Sequence, residues 1–291
     1  MQDGALLGEH YHFVRLTSAR ELFYSKTTIE LSDIDSVVLY GGLDYSLDTS
    51  VMLAEAMVYD SLPLNSFRNS RDVRGDSIFL PLPQSEKEVK SIGNTFSKNG
   101  ITPALLEGSK GSEESFISMS GHAPTILHLA THGFYYSPND TNQSVAFLQG
   151  YRDAMMLTGL AFAGANRAWQ GKQLPDGVLG GVLSAYNISN LDFRNTELLV
   201  LSACHSGDGQ ATPDGLFGLQ RAFKKAGVKT MILSLWDVDD NVGAEFMTLF
   251  YETMLSDVAH MHKRAAFNKA KAIIRDKYPE PYYWAGFVML D

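Results

Sequence analysis

Two hydrophobic periods alternate along the chain. Short apolar runs end in small or polar residues, and stretches with a 3.6-residue apolar repeat follow them. Ser36-Val37-Val38-Leu39-Tyr40, Ile101–Leu106, Thr125–Ala130, Leu198–Ala203, Thr230–Leu235 and Tyr283–Leu290 predict strands. Val89, Ile92, Gly93 and Phe96 share one face of a predicted helix that starts after Pro81-Leu82-Pro83, with Ser85 and Glu88 as a capping box and Asn99-Gly100 as its stop. Ser112 caps a short helix ending near Gly121. Pro213 opens a helix with Leu216, Leu219 and Phe223 inward and Gly227 at its end. Val242, Phe246, Leu249 and Phe250 mark one further helix, and Ala266, Ala270, Ile273 and Ile274 another. Residues 134–190, rich in Gly, Asn and Asp, read as irregular. Strand-loop-helix alternation of this kind is the signature of a parallel sheet covered by helices, an α/β fold.

Composition narrows the class of protein. The chain has 291 residues, 45% of them hydrophobic and 20% charged, which suits a packed core and excludes a disordered chain. No repeat with a period of about 20–50 residues is visible. Lys+Arg is 24 against 33 Asp+Glu, a net charge of −9, which argues against a duplex nucleic-acid binder. No apolar run reaches the roughly 18 residues of a membrane helix. Met1–Leu16 lacks a basic segment followed by an apolar one, so no secretion signal is expected. Cys204 is the only cysteine, which rules out an intramolecular disulfide and a four-cysteine metal site and fits a cytoplasmic location.

Three predicted strands end in polar turns: Thr131-His132-Gly133, Cys204-His205-Ser206-Gly207 and Trp236-Asp237. Sites in open α/β sheets lie outside the carboxyl ends of the strands. His132 and Cys204 can therefore meet although 72 positions (204 − 132) separate them. A free thiol is mostly protonated near neutral pH, and a neighbouring imidazole takes its proton and returns it to a leaving amine. The N–H groups of Gly133 and Cys204 suit the oxyanion of an acyl transfer. Gly207 and Gly209 allow close approach of a substrate backbone. A strand-end cysteine is also a common small core residue. The matching strand-end histidine, each followed by glycine, tips the balance toward chemistry.

Ile126–Gly133 and Leu198–Cys204 resemble the two signature segments of the CHAT family, caspase-like clan CD cysteine peptidases related to separase. Leu160–Ala165 and Asp176–Leu179 are similar to the family's segment between His and Cys, Leu216–Gly227 to its following helix, and Ser234–Asp240 and Tyr282–Phe287 to its last two blocks. The resemblance covers roughly residues 80–291; residues 76–291 read as the peptidase domain and residues 1–75 as an N-terminal extension with the first strand of the domain. It implies a caspase-like three-layer sandwich, a mainly parallel sheet with helices on both faces. It implies His132 as base and acid, Cys204 as nucleophile, and Gly133 and Cys204 as oxyanion donors. Cys204-His205-Ser206-Gly207 is more similar to the Cys-His-Ser-Gly of metacaspases than to the Cys-Glu-Thr-Gly of many CHAT members. Metacaspases carry Asp two residues before the cysteine, where this chain has Ser202.

Other residues divide between substrate binding and architecture. Asp237, Asp239 and Asp240 follow a strand end that lines the specificity pocket in caspase-like folds, and with Asp208 they are candidates to bind Lys or Arg of a substrate. The alternative for the three is an acidic cluster at a helix N-terminus. Trp236 is a candidate pocket wall or a core residue. His128, two positions from His132, reads as a core histidine on the same strand face. His132, Cys204 and His205 make poor tetrahedral geometry, so no metal and no cofactor is expected. Lys263, Arg264, Lys269, Lys271, Arg275 and Lys277 read as the solvated side and end of a helix.

The expected function is a cysteine endopeptidase acting on a protein or peptide substrate. It is expected to be the peptidase portion of a longer protein, switched on by a partner or a helical-repeat region rather than by a cut in the short stretch between Cys204 and Pro213. The alternatives are a catalytically silent interaction module on the same fold and, with less support from the His-then-Cys order, a glutaminase-type amidohydrolase.

Overall fold

The computed structural model describes residues 28–29, 34–59, 78–135, 155–202, 213–236, 238–256 and 261–291. In chain order the first elements are β1 (Thr28–Ile29), β2 (Val37–Leu43), α1 (Thr49–Met57), α2 (Pro83–Lys98), β3 (Ala104–Gly108), α3 (Glu113–Ser118) and β4 (Ile126–Leu129). Then come β5 (Gly133–Tyr135), β6 (Thr158–Ala161), α4 (Ala165–Trp169), β7 (Val182–Ser184), α5 (Ala185–Ile188) and β8 (Leu198–Leu201). The last are α6 (Pro213–Ala226), β9 (Thr230–Ser234), α7 (Asp240–Ser256), β10 (Met261–His262), α8 (Lys263–Lys277), α9 (Pro281–Trp284) and β11 (Phe287–Leu290).

Six strands form the central sheet in the order β11-β9-β8-β4-β2-β3. All neighbours are parallel except β11, which closes the edge antiparallel to β9. β3 and β4 leave β2 on opposite sides, so the topological switch point, where ligands bind in such sheets, lies between β2 and β4. The strands β4 and β8 are buried along their whole length, as a parallel sheet covered on both faces demands. On one face α2, α7 and α8 cover Val37, Ile126 and Val200 with Val89, Phe96, Phe246, Phe250 and Ala270. On the other, Leu127, Leu129 and Leu199 meet Phe116, Phe162, Phe193, Leu219 and Phe223 from α3 to α6. The result is three layers, each buried aromatic side chain contributing about 1.5–3 kcal/mol.

Several local expectations change. The helix α2 begins at Pro83, so Ser85 lies inside its first turn and forms no capping box. Ser85 Oγ instead accepts the N–H of Gly42 and donates to the Leu82 carbonyl. The stretch predicted as irregular holds β5, β6 and β7, a three-stranded antiparallel sheet, with α4 and α5 beside it. Ile273 is 37% exposed while Ile274 is buried, so α8 turns a narrower face inward than the spacing predicts. Lys263, placed on a solvated face by its neighbours' charge, is buried at the amino ends of β8 and β9. Tyr283–Leu290 divides into α9 and β11. It bends at Gly286, where a Cβ would stand 2.8 Å from the Trp236 ring.

Candidate active site

His132 follows β4 at the switch point. Ala130 N–H donates to the Tyr40 carbonyl, which ends the ladder to β2, and the chain then turns over. Ile126, His128 and Ala130 face the α2 and α7 side, whereas the His132 ring lies against Tyr45 and Phe79 on the other side, at centroid distances of 4.9 and 5.4 Å. His128 and His132 thus do not share a face, because the bend at Thr131 breaks the two-residue alternation. Thr131 holds that bend. Its hydroxyl donates to the Ala161 carbonyl and accepts, at 2.9 Å, from Tyr45. Burial pushes the Tyr45 phenol up to about 12, so it stays a donor.

The His132 ring is only 2% exposed, and its Nε2 lies 2.7 Å from the Leu80 carbonyl oxygen. A carbonyl can only accept, so Nε2 carries the proton and Nδ1 is the nitrogen that takes up a second one. His132 O accepts from Ala161 N–H, so these two residues form a hydrogen-bonded pair of the β5–β6 ladder. Gly133, one position on and opposite Leu160, falls in a non-bonded pair. Its N–H is therefore directed away from β6.

Leu80 belongs to a strap, residues 78–82, which lies in neither strand nor helix and leads into α2. Phe79 seats the strap in an aromatic box with Tyr45 and Trp169, the latter at 4.7 Å, besides His132. The Leu80 side chain is 61% exposed, so its contribution to the site is the carbonyl.

A cleft of about 60 Å³ opens next to Thr131, at the carboxyl ends of β4, β8 and β9 and the first turns of α2 and α7. Ser202, Glu88, Ser234 and Asp240 line it, with Leu82 and Phe287 among its apolar walls. Ser202 continues β8, its N–H donating to the Leu129 carbonyl. Its hydroxyl donates to Glu88 Oε2 at 3.1 Å. The other Glu88 oxygen is 3.0 Å from His128 Nε2, close enough for an ion pair though not aligned as a hydrogen bond. Tyr251, whose phenol burial pushes well above its ordinary range, lies 3.4 Å from His128 Nδ1, on the side of the ring away from Glu88.

Of the residues singled out in the sequence, Ser202 and Asp240 line this cleft, while His132 and Gly133 follow Thr131 at the same edge of the sheet without lining it. Asp239 caps α7, its Oδ1 accepting from Asn241 and Val242 N–H. Trp236 donates its Nε1–H to the Tyr282 carbonyl and packs on Gly286, outside the cleft lining. Cys204, Asp208 and Asp237, and His205 with them, lie outside the described residues. Among the described residues, no group of three or more His, Cys, Asp or Glu is placed to hold a metal ion, and no helix is long and apolar enough to cross a membrane. Sequence reading missed the Leu80 carbonyl, Glu88 and Asn166. The carbonyl has no side-chain signature, and Glu88 was masked by its fit to a capping motif.

Residues 3–291 match the CHAT domain family. Over 103 residues, 34% of this chain, the sequence is 31% identical to tetratricopeptide repeat protein 28 of Mus musculus. Over 111 residues, 38% of this chain, it is 28% identical to the Homo sapiens protein of that name. The matched stretch is 4% of the length of either relative. The Arg-specific cysteine proteinase gingipain R superposes with a TM-score of 0.50 at 10% identity, over 93% of this chain and 49% of that one. At that identity the likeness is one of fold, a caspase-like mixed α/β sandwich. With the family match running over nearly its whole length, the chain belongs to the CHAT domain family.

Proposed function

We propose that the protein is a cysteine endopeptidase that cuts a protein or peptide substrate through His132 and Cys204. Cys204 Sγ gives its proton to His132 Nδ1, and the thiolate attacks the carbonyl carbon of the scissile bond. The N–H groups of Gly133 and Cys204 hold the oxyanion. As the C–N bond breaks, the imidazolium proton goes to the leaving amine and a thioester remains. His132 then takes a proton from water, the hydroxide attacks the thioester, and the carboxylic acid leaves as the thiol regains its proton.

The observation that carries this reading is the Leu80 carbonyl on His132 Nε2, which sets the ring in the tautomer that a base needs. The ladder adds support. β4 and β8 pair from Ile126 with Leu198 to Leu129 with Leu201, an offset of 72 (198 − 126), the same as the separation of His132 and Cys204. The cleft beside Thr131 takes the substrate side chain on the acyl side of the cut, with Ser202 and the Glu88 and Asp240 carboxylates in its lining. With Asp208, Asp237 and Asp239 nearby in sequence, this acidic rim suits Lys or Arg, and Trp236 braces it from the α9 side. Activity is controlled by a partner or by a helical-repeat region of a longer protein, in keeping with relatives named for tetratricopeptide repeats. With one cysteine and no disulfide to protect, the protein works in the cytoplasm.

A silent interaction module on the same fold is the second reading, favoured by the near-complete enclosure of the His132 ring and by the names of those relatives. Labelling with a peptide that carries an electrophilic carbonyl separates the two. The peptidase reading expects Cys204 to be modified, and His132→Ala to slow the modification by about 10²-fold or more. Equal labelling of both proteins, or none, supports the silent module.

A further inference from the structure

Asn166 lies in the first turn of α4, behind the strap, and is 5% exposed. Its side chain pairs with the backbone of Phe79 at two points. Oδ1 accepts Phe79 N–H at 2.7 Å, and Nδ2 donates to the Phe79 carbonyl at 2.9 Å. A neighbouring strand would make the same two bonds. The remaining Nδ2 hydrogen goes to Ser46 Oγ at 2.9 Å, and the backbone N–H of Asn166 goes to the Tyr45 carbonyl at 2.9 Å. The amide can point only one way, since Phe79 N–H needs an acceptor and Phe79 O a donor. The residue clamped is the one before Leu80, whose carbonyl engages His132. The strap has no ladder of its own, so this side chain does what sheet pairing does elsewhere.

We propose that Asn166 is a positioning residue. Its clamp on Phe79 keeps the Leu80 carbonyl on His132 Nε2, and so keeps Nδ1 as the nitrogen that accepts the thiol proton. The carbonyl also stabilises the imidazolium, which carries the same Nε2–H with more positive charge, so the clamp favours the thiolate–imidazolium form of the pair. This inference rests on the reading of His132 and Cys204 as partners. The same anchoring with no effect on His132 would make Asn166 a loop tether and nothing more.

The pH dependence of Cys204 alkylation by iodoacetamide, measured on the full chain, tests this without a known substrate. Cys204 is the only thiol, so the signal is unambiguous. The wild type is expected to reach half its maximal rate well below pH ~8.5, where an ordinary thiol does, and His132→Ala near that value. Asn166→Ala is expected to move the midpoint up by about one unit, with a roughly tenfold slower rate at pH 6.5. Ser46→Ala loses only the outer bond of the amide and is expected to keep the wild-type profile. If Asn166→Ala does not fold, Asn166→Asp keeps the acceptor for Phe79 N–H but cannot donate when ionised, and a smaller shift in the same direction is expected. Imidazole ¹⁵N spectra recorded above the pH at which the imidazolium has lost its proton give a second readout: neutral His132 protonated at Nε2 in the wild type, and a mixture of tautomers in the Asn166 variant. A folded Asn166 variant with the wild-type midpoint and tautomer overturns the positioning role and leaves the dyad standing. A wild type whose midpoint equals that of His132→Ala overturns both.

Discussion

Two side chains meet at Glu88, one on each carboxylate oxygen. Ser202 Oγ donates to one carboxylate oxygen, and His128 turns Nε2 toward the other. His128 is fully buried and Glu88 nearly so. Glu88→Ala removes the carboxylate beside fully buried His128, whereas Ser202 can turn to the cleft, and the expected cost is about 1–3 kcal/mol. Glu88→Gln retains an acceptor and costs less. Urea unfolding checks this: the midpoint falls for Glu88→Ala with the slope unchanged, and a midpoint equal to wild type would show that the pair adds nothing. At this scale the sequence was legible where chemistry shows in residue type. His132 and Cys204 stood out as an imidazole and a thiol at two strand ends. Glu88 did not, because Ser85 and Glu88 have the spacing of a capping box, while Pro83, two residues earlier, is the better first residue of a helix. The Leu80 carbonyl was out of reach altogether, since every residue has one.

Elements come together here through a glycine at one close approach. β2 carries Gly41-Gly42 just before its last residue, Leu43, and the first turns of α2 lie directly over them. A Cβ on Gly41 would stand 2.6 Å from the Ser85 carbonyl oxygen and 2.7 Å from a Val89 methyl. The oxygen belongs to the helix backbone and cannot rotate away, so Gly41→Ala must lift the amino end of α2 off the sheet. The expected cost is about 1–3 kcal/mol. The strap precedes α2 without a break, so the same shift moves Leu80, and the Gly41 variant should slow Cys204 alkylation as well as lower the unfolding midpoint. Loss of stability with an unchanged alkylation rate would show that strap and helix move independently. The inner strands of the central sheet were legible because they are buried apolar runs, while the edge strand β3 is only half-buried; the bounds differ from the predicted ones by a few residues, as for Val37–Leu43 against Ser36–Tyr40. The second sheet was not. β5 and β7 have three residues and β6 four, with Gly159 inside β6, too short for any period to show. Their strand character comes from pairing with each other, which a local reading cannot see.

Across the whole molecule the two rims of the sheet carry different ionisable groups. The carboxyl rim holds the candidate site. The amino rim holds Lys263, 1% exposed, whose Nζ donates to Thr230 Oγ1 at 2.8 Å and to the Glu197 carbonyl at 3.2 Å. Burial pushes its ammonium down to about 8 from an ordinary 10.5, against the pull of Glu197 and Asp291. Below about pH 8 both folded and unfolded chains hold this proton. Between that value and 10.5 the unfolded chain binds a proton the folded one lacks, so this group makes stability rise with pH, by about 3 kcal/mol over the window. Buried tyrosines act in the opposite sense. Burial raises the phenols of Tyr40 and Tyr251 beyond their usual range and that of Tyr45 to about 12. Above about pH 10 the unfolded chain releases protons that the folded chain keeps, and stability falls. The contribution of Lys263 is isolated by comparison with Lys263→Met, which keeps the stem and removes the charge. Urea unfolding of the two proteins from pH 7.5 to 10.5 should show the wild type gaining on the variant by about 3 kcal/mol, while both share the tyrosine-driven fall above pH 10. A difference that stays constant across the series would mean that Lys263 reaches water in the folded protein, and that the amino rim is more open than its packing indicates.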